Sequence, residues 1–186
     1  MKKILALALC LVLGGCVGEA RKECYPVEDV YTINYQAGII KVLLPSDWKR
    51  LKIPIGNGEP KSAASFIQGD GEVFSAYINI TIVDLKKDLL CDTSEFKKAH
   101  LEDVKTKFKQ SMPMLGFEWI GSENVELFNV PCLNFSYSDK NNRVYRETYF
   151  IKYCKLYWIS FAAGDKDTFN KDLPAIDSFI TSIEFE

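Results

Sequence analysis

The sequence is poor in the groups that most often carry chemistry. It holds a single histidine, His100, and no C-x-x-C pair, so it lacks the usual ligand set of a zinc site. It has no G-x-S-x-G motif to present a serine nucleophile. The segment Gly56-Asn57-Gly58 lacks the third glycine of a dinucleotide-binding loop. These absences argue against a metalloenzyme, a serine hydrolase and a nucleotide-binding enzyme, and no metal or other cofactor is expected.

The sequence also lacks a large excess of either positive or negative charge. The formal net charge is −2, and no long block of like charges occurs. A protein that binds nucleic acid through its phosphates needs a basic face, so no nucleic-acid partner is expected. What the chain does have is 186 residues of which 47% are hydrophobic and 26% charged. That is enough for one well-buried core, and we expect a single domain.

The first sixteen residues have the order of an export signal. Lys2 and Lys3 form a basic start, and residues 4–13 are an apolar run too short to span a hydrocarbon core about 30 Å thick as a helix. The run ends in Leu13-Gly14-Gly15-Cys16, which resembles the lipobox of bacterial lipoproteins. In that family the cysteine becomes the mature N-terminus and carries acyl chains. The alternative is an ordinary signal peptide cut near Ala20, with Cys16 discarded.

The lipobox resemblance implies a division of the chain and a location. The signal peptide would cover residues 1–15, the lipidated N-terminus and tether 16–29, and the globular domain 30–186. Acyl chains on Cys16, and not a transmembrane helix, would then attach the domain to the membrane. Val17 rather than aspartate follows the cysteine, which among Gram-negative lipoproteins favours the outer membrane. We therefore expect an envelope protein that faces the periplasm.

Four cysteines remain after the signal, namely Cys24, Cys91, Cys132 and Cys154. An even number in an oxidising compartment suggests disulfides, and four cysteines allow three pairings. Cys132 opens one predicted strand and Cys154 lies in a turn at the same end of the sheet, which favours a Cys132–Cys154 bridge. The Cys24–Cys91 pair would then hold the N-terminal segment near the start of the first helix.

The region from Phe117 to Gly164 predicts an antiparallel meander, because large apolar side chains recur mostly at every second residue within four runs. Its predicted turns are 121–124, 129–131, 139–142 and 153–155. Before it, strands are expected at 31–36, 39–44, 64–67 and 73–83. A helix should follow the capping box that begins at Asp92, and a second helical region should follow Gly164, with its main part starting near Asp172 and Pro174.

Two kinds of side chain are candidates for a functional site. His100 lies on or beside the apolar stripe of the first helix, so it is a general base, a packed, hydrogen-bonded histidine or a residue at the boundary of the stripe. Tyr145, Tyr149 and Tyr157 combine a flat apolar face with a polar tip. They either form a surface for a ligand or partner or serve as structural packing in a sheet. No motif supplies His100 with a nucleophile and an orienting group.

The order of elements, with Leu44-Pro45-Ser46-Asp47-Trp48 near one end and Leu173-Pro174-Ala175-Ile176-Asp177-Ser178-Phe179 near the other, resembles the PsbP-like superfamily. That superfamily includes an extrinsic photosystem II protein, Ran-binding Mog-type proteins and bacterial DcrB-like lipoproteins. The resemblance implies an α+β fold, an α/β/α sandwich in which two main helices flank a central antiparallel sheet, with no catalytic residues to transfer.

Members of this superfamily mostly act as accessory or adaptor proteins. The resemblance therefore implies a non-catalytic module that binds another envelope protein. A small-ligand or lipid-binding lipoprotein is the alternative, and an enzyme using His100 is the less favoured one.

Overall fold

The computed structural model describes residues 27–35, 38–51, 62–69, 75–85 and 90–186. The strands within these ranges are β1 (Val27–Tyr35), β2 (Gly38–Pro45), β3 (Trp48–Arg50), β4 (Ser62–Gln68), β5 (Ala76–Asp84), β6 (Phe117–Leu127), β7 (Val130–Asp139), β8 (Val144–Lys152), β9 (Lys155–Ala163) and β10 (Glu184–Phe185). The helices are α1 (Ser94–Ser111), a 3-10 helix (Met112–Leu115) and α2 (Lys166–Thr181). The expected signal peptide, Cys16 and Cys24 lie outside the described residues.

The strands form two antiparallel sheets. The larger has seven strands in the order β3-β4-β5-β9-β8-β7-β6, and the smaller has three in the order β1-β2-β10. The predicted meander is confirmed as β6 to β9, and the predicted strand pair near the N-terminus is confirmed as β1 and β2. Strand β9 lies between β5 and β8 and is buried along almost its whole length, which explains its nearly continuous apolar sequence.

The two faces of the larger sheet carry separate apolar cores. Along β8, Tyr149 and Ile151 belong to the core under α1, whereas Phe150 between them belongs to the other. Because successive side chains of a strand point to opposite faces, the two cores lie on opposite sides of the sheet. The second core also takes side chains from α2 and from the three-stranded sheet. That smaller sheet is an addition to the single central sheet that was expected.

The prediction of a turn at residues 121–124 is wrong. Strand β6 runs through them without interruption, and its register with β7 shifts by one residue between Trp119 and Gly121. Exposed and half-buried residues alternate along β6 because it is the outermost strand of the larger sheet. Polar residues on the exposed side of an edge strand have the same composition as a turn, and this produced the error.

Both helices begin at side-chain caps, and two details differ from the expectation: the cap of α1 and the place where the main part of α2 begins. The cap of α1 is Thr93, whose hydroxyl accepts from the backbone N–H of Phe96, and not Asp92. Asp92 instead forms an ion pair with Lys97. Helix α2 is capped by Asp165 and continues through Pro174, so Asp172 lies inside the helix. No helix in the described part of the chain is both long and apolar enough to cross a membrane.

The cysteine pairing differs from the expectation. The structure joins Cys91 to Cys154, with their Cα atoms 5.1 Å apart, so both the Cys132–Cys154 and the Cys24–Cys91 bridges are wrong. Cys132 is a free thiol buried in the core on the α2 side. Its strand partner is Phe150, which leaves Cys154 in the turn beyond the end of the ladder. Cys91 reaches that turn from the segment just before α1.

Candidate functional site

His100 has no catalytic partner among the described residues. It is half-buried on α1, and its ring stacks on Phe96 one turn earlier, with 5.6 Å between the ring centroids. No hydrogen bond or ion pair joins it to a serine or a carboxylate in the described residues. The position therefore corresponds to a packed side chain at the boundary of the helix stripe.

The three tyrosines do not form one surface. Tyr149 is buried on the α1 side, stacked on Phe135 and Trp158, whereas Tyr157 is buried on the opposite side and stacks on Phe150. Two buried side chains on opposite faces of a sheet cannot contact one ligand, so the expected Tyr145, Tyr149 and Tyr157 surface is wrong. Tyr145 is half-buried, and its hydroxyl donates to Asp139. Their common spacing in the sequence reflects packing.

A buried carboxylate that sequence reasoning missed lies in the middle of the larger sheet. Glu147 on β8 is only 2% exposed. Its Oε1 accepts from the Tyr137 hydroxyl at 2.8 Å, and its Oε2 accepts from Trp158 Nε1 and from the Ser160 hydroxyl, both at 2.5 Å. Burial raises the pKa of Glu147 to about 7, although the three hydrogen bonds oppose that rise. All its partners are internal, so Glu147 belongs to the architecture of the sheet.

A polar cleft opens at one corner of the larger sheet. It lies where the β2–β3 turn, the end of β4 and the first half of α2 meet, and it has a volume of about 470 Å³. We call it the corner cleft, and its lining residues are Asp47, Lys49, Gln68, Gly69, Ser75, Thr168, Lys171 and Asp172. Among the described residues no cluster of three or more metal-binding side chains occurs, and the corner cleft is no exception.

Hydrogen bonds fix the polar groups of the corner cleft. The Gln68 side-chain nitrogen donates to Asp47 Oδ2 at 2.6 Å, and the Ser75 hydroxyl donates to Gln68 Oε1 at 3.0 Å. The backbone N–H of Gly164 donates to the carbonyl of Ser75 at 2.9 Å, which ties this strand end to the start of α2. Gln68 is therefore held in one orientation between the β2–β3 turn and the helix.

Asp172 is the unusual member of this group. It is only 6% exposed, and its Oδ2 is buried without a hydrogen-bond partner among the described residues. Burial raises the pKa of Asp172, as does Asp47 to a smaller extent, whereas a hydrogen bond from Gln68 and the charge of Lys171 oppose the rise. A buried carboxylate oxygen normally has a donor, so Asp172 is an exception among the described buried polar groups.

A signal for Asp172 was present in the sequence. It occupies a core position of α2, three residues after Phe169 and four before Ile176, and both of these neighbours are buried. An acidic residue in an apolar stripe must be paired or functional. The interpretation of Asp172 as a helix cap concealed this. Asp47 was visible only as part of the Leu44 to Trp48 segment that carried the resemblance.

The second exposed feature is the free edge of the larger sheet at β6. Strand β6 pairs with β7 on one side, and no described strand pairs with its other side. Three large apolar side chains are exposed nearby, Met114 at 83%, Leu115 at 64% and Ile120 at 56%. Glu118 and Glu126 are exposed on the same strand. We call this surface the β6 edge.

Comparison with known proteins identifies the fold. No protein-family model and no curated protein matches the sequence. Among solved structures, cyanobacterial PsbP (CyanoP) from Synechocystis sp. PCC 6803 matches with a TM-score of 0.60 and 16% identity over 94% of this chain and 99% of that chain. The Ran-binding protein Mog1p of Saccharomyces cerevisiae matches with a TM-score of 0.47 and 10% identity, over 84% of this chain and 95% of that chain. LpqN of Mycobacterium tuberculosis, involved in cell envelope biogenesis, matches with a TM-score of 0.46 and 14% identity, over 84% of this chain and 90% of that chain.

The match to CyanoP defines the class of fold. The chain has a PsbP-like α+β fold in which antiparallel sheets dominate and two main helices pack on them. The resemblance that the sequence suggested is confirmed at this level. The two weaker matches have TM-scores below 0.5 and add nothing to the assignment.

Proposed function

We propose that this protein is a lipid-anchored accessory module of the cell envelope, which binds another envelope protein and catalyses no reaction itself. The observation that carries the proposal is the β6 edge. It presents an eleven-residue strand that no described strand pairs with on one side, and three large apolar side chains are exposed beside it. Edge strands with unpaired N–H and C=O groups are templates for the addition of a partner strand.

The chemistry of the β6 edge favours a particular kind of partner segment. Exposed Glu118 and Glu126 place negative charge along the strand. Like charges facing each other across a strand pair are destabilising, so a partner strand with lysine or arginine is favoured over an acidic one. Met114 and Leu115 at the end of the edge supply apolar area that such a strand could cover.

The anchor of this module is Cys16. Ten residues, 17–26, separate Cys16 from the start of β1. A fully extended chain spans about 3.3–3.6 Å per residue, so the tether reaches on the order of 35 Å at most. The domain would therefore search only a thin layer above the bilayer, which raises its effective concentration for a membrane partner.

Photo-cross-linking in cells that encode the protein tests this function. A photoreactive residue at Ile120 is expected to capture one envelope protein repeatedly, whereas the same residue at Tyr153, which is equally exposed in the β8–β9 turn, is not. The E118K/E126K double variant should lose the capture. Its matched control is E95K/D167K, which reverses two exposed charges away from β6.

The anchor is tested with the Cys16→Ser variant, which should remain in the soluble fraction and capture the partner poorly. Equal capture from Ile120 and Tyr153, or capture that is insensitive to the charge reversal, would contradict docking at the β6 edge.

The corner cleft supports a second candidate, the binding of a small ligand or a lipid. Its volume of about 470 Å³ falls within the range of about 300–1,000 Å³ that is typical of small-molecule sites. This function is compatible with the first, because the corner cleft and the β6 edge lie at opposite edges of the larger sheet.

A further inference from the structure

We propose that the partner strand at the β6 edge places one lysine or arginine side chain over Gly121, in a pocket between β6 and α2, where its cationic group meets Glu123. The inference rests on the proposed docking at the β6 edge. It adds the position that decides which strand the edge accepts.

The pocket lies beside the register shift of β6, on the side of the larger sheet that α2 covers. We call it the Gly121 pocket, and it has a volume of about 260 Å³. Because β6 is the outermost described strand of the larger sheet, the pocket adjoins the free edge. Its volume is below the range of about 300–1,000 Å³ of small-molecule sites, which favours a single side chain as the occupant. Its lining includes Ile120, Gly121 and Glu123 of β6, Arg146 of β8, and Phe169 and Leu173 of α2.

Gly121 keeps the pocket open towards the edge. A Cβ atom added at Gly121 would meet no atom within 4 Å apart from its chain neighbours, and the backbone there is not left-handed. The strand therefore does not need a glycine for its conformation or for its own packing. A glycine inside a strand weakens it and often marks the close approach of another group. Here it leaves room for a side chain from a neighbouring strand.

The register of β6 defines where that side chain would come from. From Gly121 to Leu127 every residue of β6 pairs in order with a residue of β7, so this part of the strand is regular. A strand added to its free side places one residue directly opposite Gly121, with its side chain on the same face. Glu123 shares that face and is a diagonal neighbour, and a long side chain can span the diagonal of about 7–8 Å.

The charges around the pocket select a basic side chain. Arg146 Nη1 lies 3.0 Å from Asp177 Oδ1, and Nη2 lies 3.7 Å from Glu123 Oε1. The Arg146 side chain is only 11% exposed, whereas those of Glu123 and Asp177 are 62% and 52% exposed. An incoming group thus meets two accessible carboxylates and one largely covered cation. Glu118, exposed beyond the register shift, adds negative charge, so a lysine or arginine is attracted and an acidic side chain is repelled.

The apolar lining favours a long side chain with a hydrocarbon stem. Phe169 and Leu173 of α2 line the pocket together with Ile120. Lysine and arginine can lay their methylene groups on such a surface while the charged end reaches a carboxylate. Strand β6 contains no lysine or arginine, so the β6 strand of a second copy cannot supply this group. The occupant is therefore a basic strand of another sequence.

Capture in cells tests the pocket separately from the edge. In the full chain with the photoreactive residue at Ile120, Gly121→Leu should fill the pocket and lower the capture about fivefold or more. Asn124→Leu adds the same side chain on the opposite face of β6, where Asn124 donates to Glu102 of α1, and should capture like the wild type. Unchanged urea midpoints show that both variants fold. No capture by the wild type would contradict docking at the β6 edge itself, whereas full capture by Gly121→Leu overturns the Gly121 pocket alone.

The captured segment supplies the probe for the charge. Mass spectrometry of the cross-linked peptide gives its sequence, which should contain a lysine or arginine. A synthetic peptide of that sequence, and versions with each basic residue replaced in turn by norleucine, are titrated against the Cys16→Ser chain. One replacement should weaken binding about tenfold, but less than about twofold when the chain also carries Glu123→Gln, because the same ion pair is then already lost.

Glu95→Gln, which removes an exposed carboxylate on α1, is the matched control and should keep the tenfold effect. The glutamine at position 123 can still accept from the Asn134 side-chain nitrogen, so the variant keeps the contact that Glu123 makes inside the sheet. A captured segment without a basic residue would overturn the proposal. So would a norleucine effect that is equal with and without the Glu123 charge.

Discussion

Among single residues, Glu147 has the clearest energetic consequence. Burial raises its pKa from 4.5 to about 7 in the folded protein, while in the unfolded chain it keeps its ordinary value. Below pH 4.5 both states are protonated. As the pH rises towards 7, the unfolded chain releases its proton first, so the free energy of unfolding falls by an amount on the order of 3 kcal/mol and is constant again above the folded pKa.

Urea unfolding of the wild type and of Glu147→Gln between pH 4 and pH 8 measures this contribution. The glutamine keeps the shape of the side chain, and the hydroxyl of Tyr137 can accept from its amide. The stability of the variant relative to wild type should rise as the pH increases through this window. If the difference in unfolding free energy between the two proteins stays constant with pH, the pKa of Glu147 is not raised in the folded protein.

Glu147 and Asp172 also show what single residues reveal before a structure exists. Both are acids at positions where the periodicity demands an apolar side chain, with Glu147 between Tyr145 and Tyr149 on β8. That pattern marks each as a buried charge. It cannot give their partners, because Ser160 and Gln68 lie on other strands and reach these acids only through the sheet register and the packing of α2.

At the scale of elements, the Cys91–Cys154 disulfide fastens the start of α1 to the β8–β9 turn. The two cysteines are 63 residues apart, and the backbone N–H of Leu85 also donates to the carbonyl of Cys154 at 2.8 Å. Closing a loop of this length in the unfolded chain contributes about 4 kcal/mol in the chain-entropy model. Replacing both cysteines by alanine should therefore lower the free energy of unfolding by about 4 kcal/mol, which is measured as a lower urea midpoint.

The control for this prediction is Cys132→Ala combined with Cys24→Ser, which leaves the bridge intact and removes only the small buried thiol of Cys132 from the core. Non-reducing peptide mapping should recover Cys91 and Cys154 in one cross-linked peptide. A cross-link that contains Cys132 instead would contradict the pairing, and an unchanged urea midpoint in the double alanine variant would show that the bridge adds no stability.

Elements were easier to predict than their ends. The alternation in β7, the nearly continuous apolar run of β9 and the apolar stripe of α1 are properties of local sequence, and all three were found. The predicted cap of α1 was displaced by one residue because Asp92 and Thr93 both carry capping oxygens. In the structure the Asp92 carboxylate contacts Lys97 and the backbone N–H of Cys154 instead. The continuity of β6 was missed because only the pairing with β7 shows that residues 121–124 are extended.

For the whole molecule, the class of fold followed from the order of the elements, but the second sheet did not. Strand β10 has two residues, Glu184 and Phe185, and it exists because they pair with Lys41 and Ile40 of β2. Phe185 then packs against Phe150 and Tyr157, which joins the small sheet to the larger one. No sequence period can be read from two residues, so this closure is a tertiary effect.

With the proposed lipid anchor on Cys16, the layout of the whole molecule predicts how the domain would stand on a membrane. Strand β9 runs from the β8–β9 turn at Lys155 to Ala163, which faces Ala76 at the cleft end of the sheet. Nine residues at about 3.3 Å each separate these ends by about 30 Å. Since β1 begins beside the corner cleft, a tether from Cys16 should hold that end towards the bilayer and Tyr153 away from it.

Paramagnetic headgroup lipids would measure this orientation in vesicles that carry the lipidated protein. The backbone amide signals of Ser46 and Gly69 at the cleft end should broaden, and that of Tyr153 should not. The Cys16→Ser chain with the same vesicles is the control, because any broadening that persists without the tether reports contact of the domain itself with the vesicle. Broadening of Tyr153 equal to that of Ser46 would show that the tether does not orient the domain.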